Sequence, residues 1–313
     1  MELKNSAVPQ TAAGESGFPC LDFHVTVRGA AHVRKGIACQ DCSRTVRFGN
    51  SAAAAVADGH GDVRYFRSRF GSRFAVDAAL QAIRRFVQLE DGRLSPSCAE
   101  EKLAQLKKNI ILNWNRKVCS HFGRYPFLEE ELAPLSAARR SRLLQGKEIE
   151  SAYGTTLIAA AMTPDFWFGM QIGDGDCMAG KSDGTLETLP RRPGLVANIT
   201  TSLCEPDAID KFLHLYGEGR PGFILMSTDG IRNSFDSLEN YNRFMRKVAF
   251  SFSSEPYERT RRFLKSFLKK MTEKGSGDDL SVAGIIDLGA DGFLGTDPAK
   301  NTAVQNGPAD IAG

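Results

Sequence analysis

Residues 53–62 read AAAVADGHGD. The run of small and apolar residues from Ala52 to Ala57 has the composition of a buried strand, and it stops abruptly at Asp58-Gly59-His60-Gly61-Asp62. Two glycines within five residues permit a tight turn and a close approach of backbone to ligand. A carboxylate at the end of a buried strand is costly unless something positive meets it. A lone Asp-Gly reads as a turn in which Asp58 caps a backbone amide. Two distant stretches repeat the design, however: residues 223–230 (FILMSTDG) and 277–286 (GDDLSVAGII). In each, an apolar strand-like run abuts an aspartate. Three strand-end aspartates far apart in sequence point to one shared site for a hard cation.

Composition narrows the field around that site. A chain of 313 residues and 34.2 kDa has ample length for a full core, in one large domain or two small ones. A hydrophobic content of 42% and a charged content of 25% are ordinary for a globular protein. The net charge of +3 is too small to argue for nucleic acid or an anionic membrane as partner. The longest apolar stretches run to only about ten residues, half of what a spanning helix needs. The start, MELKNSAVPQ, lacks the basic opening and apolar block of a secretion signal. Seven cysteines without a framework fit reduced thiols and a cytoplasmic location. Cys39 and Cys42 form a C-x-x-C, but no second pair at zinc spacing follows, so a structural role is preferred.

Along the chain, residues 1–18 and 290–313 read as disordered tails and 19–289 as one folded unit. Residues 21–29 (LDFHVTVRG) alternate as a half-buried strand, and 29–42 read as a loop entering a strand at 43–48. Phe66 to Leu89 keeps helical spacing, and Arg67, Arg69, Arg73, Arg84 and Arg85 are expected on its solvated face. Ser95-Pro96-Ser97 opens another helix, toward about residue 120. Residues 154–161 and 165–172 form a hairpin through Thr163-Pro164. Ser182-Asp183-Gly184-Thr185 is a second hairpin turn signal. Residues 189–220 read as a flap with a short helix at 207–215. A helical stretch from 238 to 270 breaks near Pro256. Hairpins dominate, without the strict strand–helix alternation of a parallel sheet. The fold expected is α+β: a four-layer α-β-β-α sandwich of two antiparallel sheets flanked by helices.

Oxygen-only ligands suit Mg²⁺ or Mn²⁺, and Asp58, Asp229 and Asp278 have the right setting, with the Gly59 carbonyl as a further donor and Asp41 a fourth carboxylate candidate. Two such ions deprotonate a bridging water and stabilise charge on a phosphoryl group. No Cys-x5-Arg loop and no G-x-S-x-G elbow occurs, so covalent routes lack their parts.

Four motifs in order carry a resemblance: CQD at 39–41, VADGHGD at 56–62, YGTTL with IGDGD within 153–176, and STDGI at 227–231 followed by DDLSV at 278–282. The chain resembles a metal-dependent serine/threonine phosphatase of the type 2C (PPM) family over about residues 22–287, and GAAH…CQD resembles a bacterial subgroup. The resemblance implies two ions, Mn²⁺ or Mg²⁺, held by Asp58 as bridging ligand, the Gly59 carbonyl, Asp229 and Asp278. It implies that Asp41 orients a water, that His60 is the general acid toward the leaving alkoxide, and that Asp174 matches the position of a third metal in some members. Asp174 and Asp176 read equally well as hairpin-turn residues, and Asp62 is read as a helix cap rather than a ligand. Where many members carry Glu-Asp, this chain has Gln40-Asp41. Gly36 stands where the phosphate-gripping arginine usually lies; Arg34 is ranked first to replace it, ahead of Lys35 and His32. Asp279 follows the metal aspartate where asparagine is commoner. The implied function is hydrolysis of phosphoserine and phosphothreonine on a protein substrate of a kinase. The alternatives are a silent relative that binds phosphorylated partners or regulates a kinase, and hydrolysis of small phosphate esters at the same site.

Overall fold

Every residue of Ser51–Ala57 is buried, which requires cover on both faces of the strand. A computed structural model, which describes residues 19–90, 92–181, 184–190 and 200–289, shows how the cover is provided. Among the described residues, ten strands form two antiparallel five-stranded sheets. The strands are β1 (Cys20–Val27), β2 (Cys42–Phe48), β3 (Ser51–Ala57), β4 (Leu157–Met162), β5 (Phe166–Ile172), β6 (Asp176–Gly180), β7 (Leu186–Thr188), β8 (Leu213–Glu218), β9 (Phe223–Ser227) and β10 (Leu280–Asp287). One sheet runs β1-β10-β9-β6-β7 and the other β2-β3-β4-β5-β8. The helices are α1 (Ala30–Lys35), α2 (Ser68–Leu89), α3 (Pro96–Arg124), α4 (Glu129–Leu132), α5 (Ala137–Leu144), α6 (Ala208–Lys211), α7 (Asp229–Arg232), α8 (Leu238–Ser254) and α9 (Tyr257–Lys274). The α-β-β-α sandwich expected from the sequence is the fold observed.

Side chains alternate across a strand, so β3 feeds two cores at once. Ala52, Ala54 and Val56 face the other sheet with Ile158, Ala160, Ile224, Met226, Ala283 and Ile285. Ala53, Ala55 and Ala57 face α2 and α3. The registers Ala53↔Ala161, Ala54↔Ala160 and Ala55↔Ala159 put an alanine patch at the centre of the sheet, against which α2 lays Ala75, Ala78, Ala79 and Ala82. Small residues on both partners permit close approach, and Trp114 of α3 fills the layer behind, its indole N–H donating to the Gly71 carbonyl at 3.0 Å. On the far side α8 and α9 cover β1, β9 and β10, with Phe252 stacked on Phe23 at 3.8 Å.

Several local expectations need correction. The segment after Gly29 is not all loop: it forms α1, closed by Gly36 in the left-handed conformation. The flap helix is only the one turn of α6, and residues 213–218 are strand β8, paired with β5 from Phe166↔Glu218 to Gln171↔Leu213. Buried Phe166 and Phe168 need a covering neighbour at that edge, and pairing decides the conformation. Residues 1–18, 182–183, 191–199 and 290–313, which held the two expected tails, part of a turn and part of the flap, lie outside the described residues. The hairpin β4–β5 and the break before Pro256 occur as read.

Arg67 also departs from its expected place on a solvated face. It is 4% exposed, and its guanidinium binds both Glu131 oxygens (2.8 and 2.7 Å), the Pro126 carbonyl (2.9 Å) and the Tyr153 hydroxyl (3.0 Å). It ties the segment after α3 to the start of α2, whereas Arg69, Arg73, Arg84 and Arg85 are exposed. Removing one partner of a buried pair leaves the other uncompensated, so Arg67→Ala is expected to cost about 3 kcal/mol or more, against under ~0.5 kcal/mol for Arg69→Ala. Urea denaturation of the two variants beside the parent checks the contrast.

Candidate metal and phosphate site

The topology delivers three strand ends to one place. Asp58 follows β3, Asp229 opens α7 directly after β9, and Asp278 precedes β10, whose partner is β9 (Val282↔Ser227). Asp41 precedes β2, whose partner is β3 (Cys42↔Ala57). Each approach is held by backbone. The Asp58 carbonyl accepts from the Thr156 amide and the Thr155 hydroxyl, both at 2.8 Å, and its amide donates to the Thr156 hydroxyl at 3.0 Å. Residue 59 must be glycine, because a Cβ there would stand 2.8 Å from the carbonyl oxygens of Gln40 and Ser68. Thr228 links the other two ends: its amide donates to the Ser281 carbonyl, and its hydroxyl accepts from the Ser281 amide.

The carboxylates grade from closed to open. Asp41 is buried, Asp58 and Asp229 are partly exposed, and half of the Asp278 side chain reaches water. Burial, then the charges of Asp279 and its neighbours, drives the Asp41 carboxyl well above the usual range. Burial and the charges of Asp41 and Asp229 do the same to Asp58. Asp229 is pushed up to about 6 by burial and by Asp174. Asp58 and Asp229 meet carboxyl to carboxyl, which demands a shared proton or a cation between them. Asp41 accepts from the Thr228 hydroxyl at Oδ2 (2.8 Å), while its buried Oδ1 has no hydrogen-bond partner. Among the described residues no three His, Cys, Asp or Glu side chains stand around one point as a finished metal cage. The donor set nonetheless fits a hard cation: oxygen-only, mutually repelling, and with a buried acceptor atom left over.

Asp174 lies in the β5–β6 turn, and its charge acts on Asp229, Asp278 and His60, so the structure brings it to the cluster. Asp176 instead pairs with Arg232 at 3.3 Å, and Asp62 caps the following turn by accepting from the Arg64 amide at 2.9 Å. His60 packs its ring on Tyr65 (4.7 Å), and burial lowers it to about 4. Its amide donates to the Gly154 carbonyl at 3.2 Å. The cysteines Cys39 and Cys42 are free thiols pushed upward by burial, as a structural role requires.

Sequence reading missed the importance of Asp279, noted above only as a mild departure. It is 3% exposed and accepts from the amides of Gly29 and Gln40, both at 2.6 Å, while His32 Nδ1 lies 2.9 Å away. These contacts clasp both ends of residues 29–40 to the Asp278 strand end, and they hold Asp279 ionised against its burial. His32 is thereby engaged, its Nε2 3.9 Å from Asp278. Arg34 and Lys35 stand exposed on α1 with no acidic partner among the described residues. Gln40 has its own reason to be an amide: it donates to the Ser68 hydroxyl (2.7 Å) and the His60 carbonyl (3.4 Å), which a glutamate could not do. A partner 250 residues away leaves no local pattern, so the Asp279 clasp had no signal in the sequence.

Several solved structures of similar fold are serine or serine/threonine phosphatases. A bacterial serine phosphatase aligns over 85% of this chain and 97% of its own at 13% identity and TM-score 0.54. The phosphatase Stp1 from Staphylococcus aureus aligns over 88% and 98% at 14% identity and TM-score 0.51. The catalytic domain of the serine/threonine protein phosphatase PstP, in complex with two manganese ions, aligns over 85% and 97% at 15% identity and TM-score 0.50. A comparison with curated proteins finds no match. The family model for protein phosphatase 2C matches residues 28–269, and the chain belongs to that family.

The raised Asp229 carboxyl carries a stability consequence. A folded-state pKa above the unfolded one means the folded state binds the extra proton, so stability falls as pH rises from about 4 to about 6. In the presence of chelator, Asp229→Asn is therefore expected to be more stable than the parent at pH 7, by roughly 1–3 kcal/mol. The gap should close toward pH 4. Thermal denaturation across that range reads it, and a gap independent of pH would contradict the shift.

Proposed function

We propose that the chain is a metal-dependent phosphatase that hydrolyses phosphoserine and phosphothreonine on a protein substrate of a kinase. The convergence of Asp58, Asp229 and Asp278, with Asp58 and Asp229 in contact, carries this reading. Family membership and the two manganese ions of the PstP neighbour support it. Asp58, the Gly59 carbonyl, Asp229 and Asp278 would hold two Mn²⁺ or Mg²⁺ ions, and Asp174 a third. When bound, such ions lower the pKa of water and neutralise charge on phosphoryl oxygens.

The protein's own groups divide the remaining work. Asp41 is fixed at Oδ2 by Thr228, and its free Oδ1 accepts from and orients a water at the floor of the site. Arg34, with Lys35, supplies the cation that grips the phosphate from α1; His32 positions that helix through Asp279. His60 protonates the departing alkoxide. Burial keeps its ring neutral in the free protein at pH 7, and the Asp174 charge opposes that shift, as the dianionic phosphate ester would on binding. A cytoplasmic setting and a role in phospho-signalling complete the proposal; among the described residues no helix is long and apolar enough to cross a membrane.

Hydrolysis of a phosphothreonine peptide should require Mn²⁺ or Mg²⁺, cease with EDTA, and fall to background in Asp58→Asn. Metal binding without turnover of peptide or of p-nitrophenyl phosphate would favour the silent phosphoprotein binder. Turnover of the small ester alone would favour a small-molecule substrate. His60→Gln should lower kcat on a phosphoserine peptide by ~10²-fold or more. On p-nitrophenyl phosphate, whose phenolate leaves unprotonated, the loss should stay below about tenfold. Equal losses on both substrates would remove His60 from the acid role.

A further inference from the structure

Helices α8 and α9 bury one side against β1, β9 and β10, but their outward side is not closed. Phe244, Lys247, Val248 and Ser251 of α8, with Phe263 and Phe267 of α9, line a groove of about 140 Å³. Phe263 is 70% exposed and Phe267 39%. The rings form a ladder: Phe244 stacks on Phe267 at 5.5 Å and 20°, and Phe267 on Phe263 at 6.3 Å and 22°. Single exposed apolar residues are ordinary on a surface, but a stacked aromatic row beside a cleft is a binding feature.

The charge around the groove is one-sided. From Leu238 to Lys274 the sequence holds ten Lys or Arg against four Glu, an excess of six in a chain whose total is only +3. Glu239 and Glu255 are already paired, with Arg243 and Arg259. Arg259 stands one turn before Phe263 and Lys270 one turn beyond Phe267 on the same stripe, and Lys247 lines the opposite wall. Lys247 and Lys270 are exposed with no acidic partner among the described residues. A narrow cleft receives inserted side chains, whereas a lipid surface calls for a convex aromatic face, so the shape favours a protein segment.

We propose that the α8–α9 groove docks an acidic amphipathic segment of a partner protein. Large apolar side chains at helical spacing would enter the cleft beside the phenylalanine row, and flanking Asp or Glu would lie over Lys247 and Lys270. Neither Asp41, Asp58, Asp229 nor Asp278 lines the groove.

The test uses the full chain and a fluorescein-labelled helical peptide of 18 residues, with Leu or Phe at i, i+3, i+4 and i+7 and Glu elsewhere. A matched peptide carries Lys in place of Glu. Anisotropy should show binding of the acidic peptide alone, at least tenfold weaker in Phe263→Ser and in Lys247→Glu, and weaker at 300 than at 50 mM NaCl. Both positions are exposed, and unchanged thermal denaturation verifies the folded state of each variant. Equal binding of the two peptides, binding of neither, or binding indifferent to Phe263→Ser would overturn the proposal. So would two results without peptide: flotation with phosphatidylserine-containing vesicles that Phe263→Ser abolishes, which would assign the face to a membrane, or dimerisation lost in Phe263→Ser, which would assign it to a second copy of this chain.

Discussion

Like-charged carboxylates held together at one end of a β-sandwich are the constraint on which the rest of this structure turns. Each is placed by a different strand or strand approach: the Asp58 backbone is pinned through Thr155 and Thr156, and Asp229 and Asp278 flank the β9–β10 ladder. Alone, the arrangement is unfavourable, and burial together with the neighbouring carboxylate charges raises Asp41, Asp58 and Asp229 above the usual carboxylate range. A divalent cation bound as proposed would offset this cost.

The strand ends meet because the sheets approach closely. Alanines at 52–55 and 159–161 thin the centre of one sheet on both faces, so α2 lies tight behind it and the second sheet tight in front. Around the cluster, the positioning is polar and long-range. Asp279 holds the ends of the α1 segment, Thr228 holds Asp41 and the β10 strand, and Gln40 joins the 58–60 turn to α2 through Ser68. Site chemistry and site scaffold thus alternate along single short motifs: Gln40 next to Asp41, Thr228 next to Asp229, Asp279 next to Asp278.

What the sequence disclosed follows from what is local. Abrupt strand ends at Asp58, Asp229 and Asp278, the β4–β5 hairpin and the break before Pro256 are each written within a few residues. Strand β8 was misread as part of a short helix because its conformation is decided by pairing with β5, not by its own periodicity. Arg67 was misplaced for a related reason: nothing beside it in sequence announces Glu131 and Tyr153. The Asp279 clasp is the extreme case, since its partners lie some 240 residues upstream. Of the phosphate-site candidates, the structure sets His32 into that clasp and leaves Arg34 and Lys35 free on α1.

On the proposed function, these aspartates would form a divalent-cation site rather than a strained structural cluster. Isothermal titration of Mn²⁺ into the chelator-stripped chain, beside Asp58→Asn and Asp62→Asn, tests it most directly. Two ions per chain are expected for the parent and for Asp62→Asn, whose carboxylate only caps a turn, and at most one for Asp58→Asn. Stoichiometric binding that survives Asp58→Asn, or no binding by the parent, would contradict it.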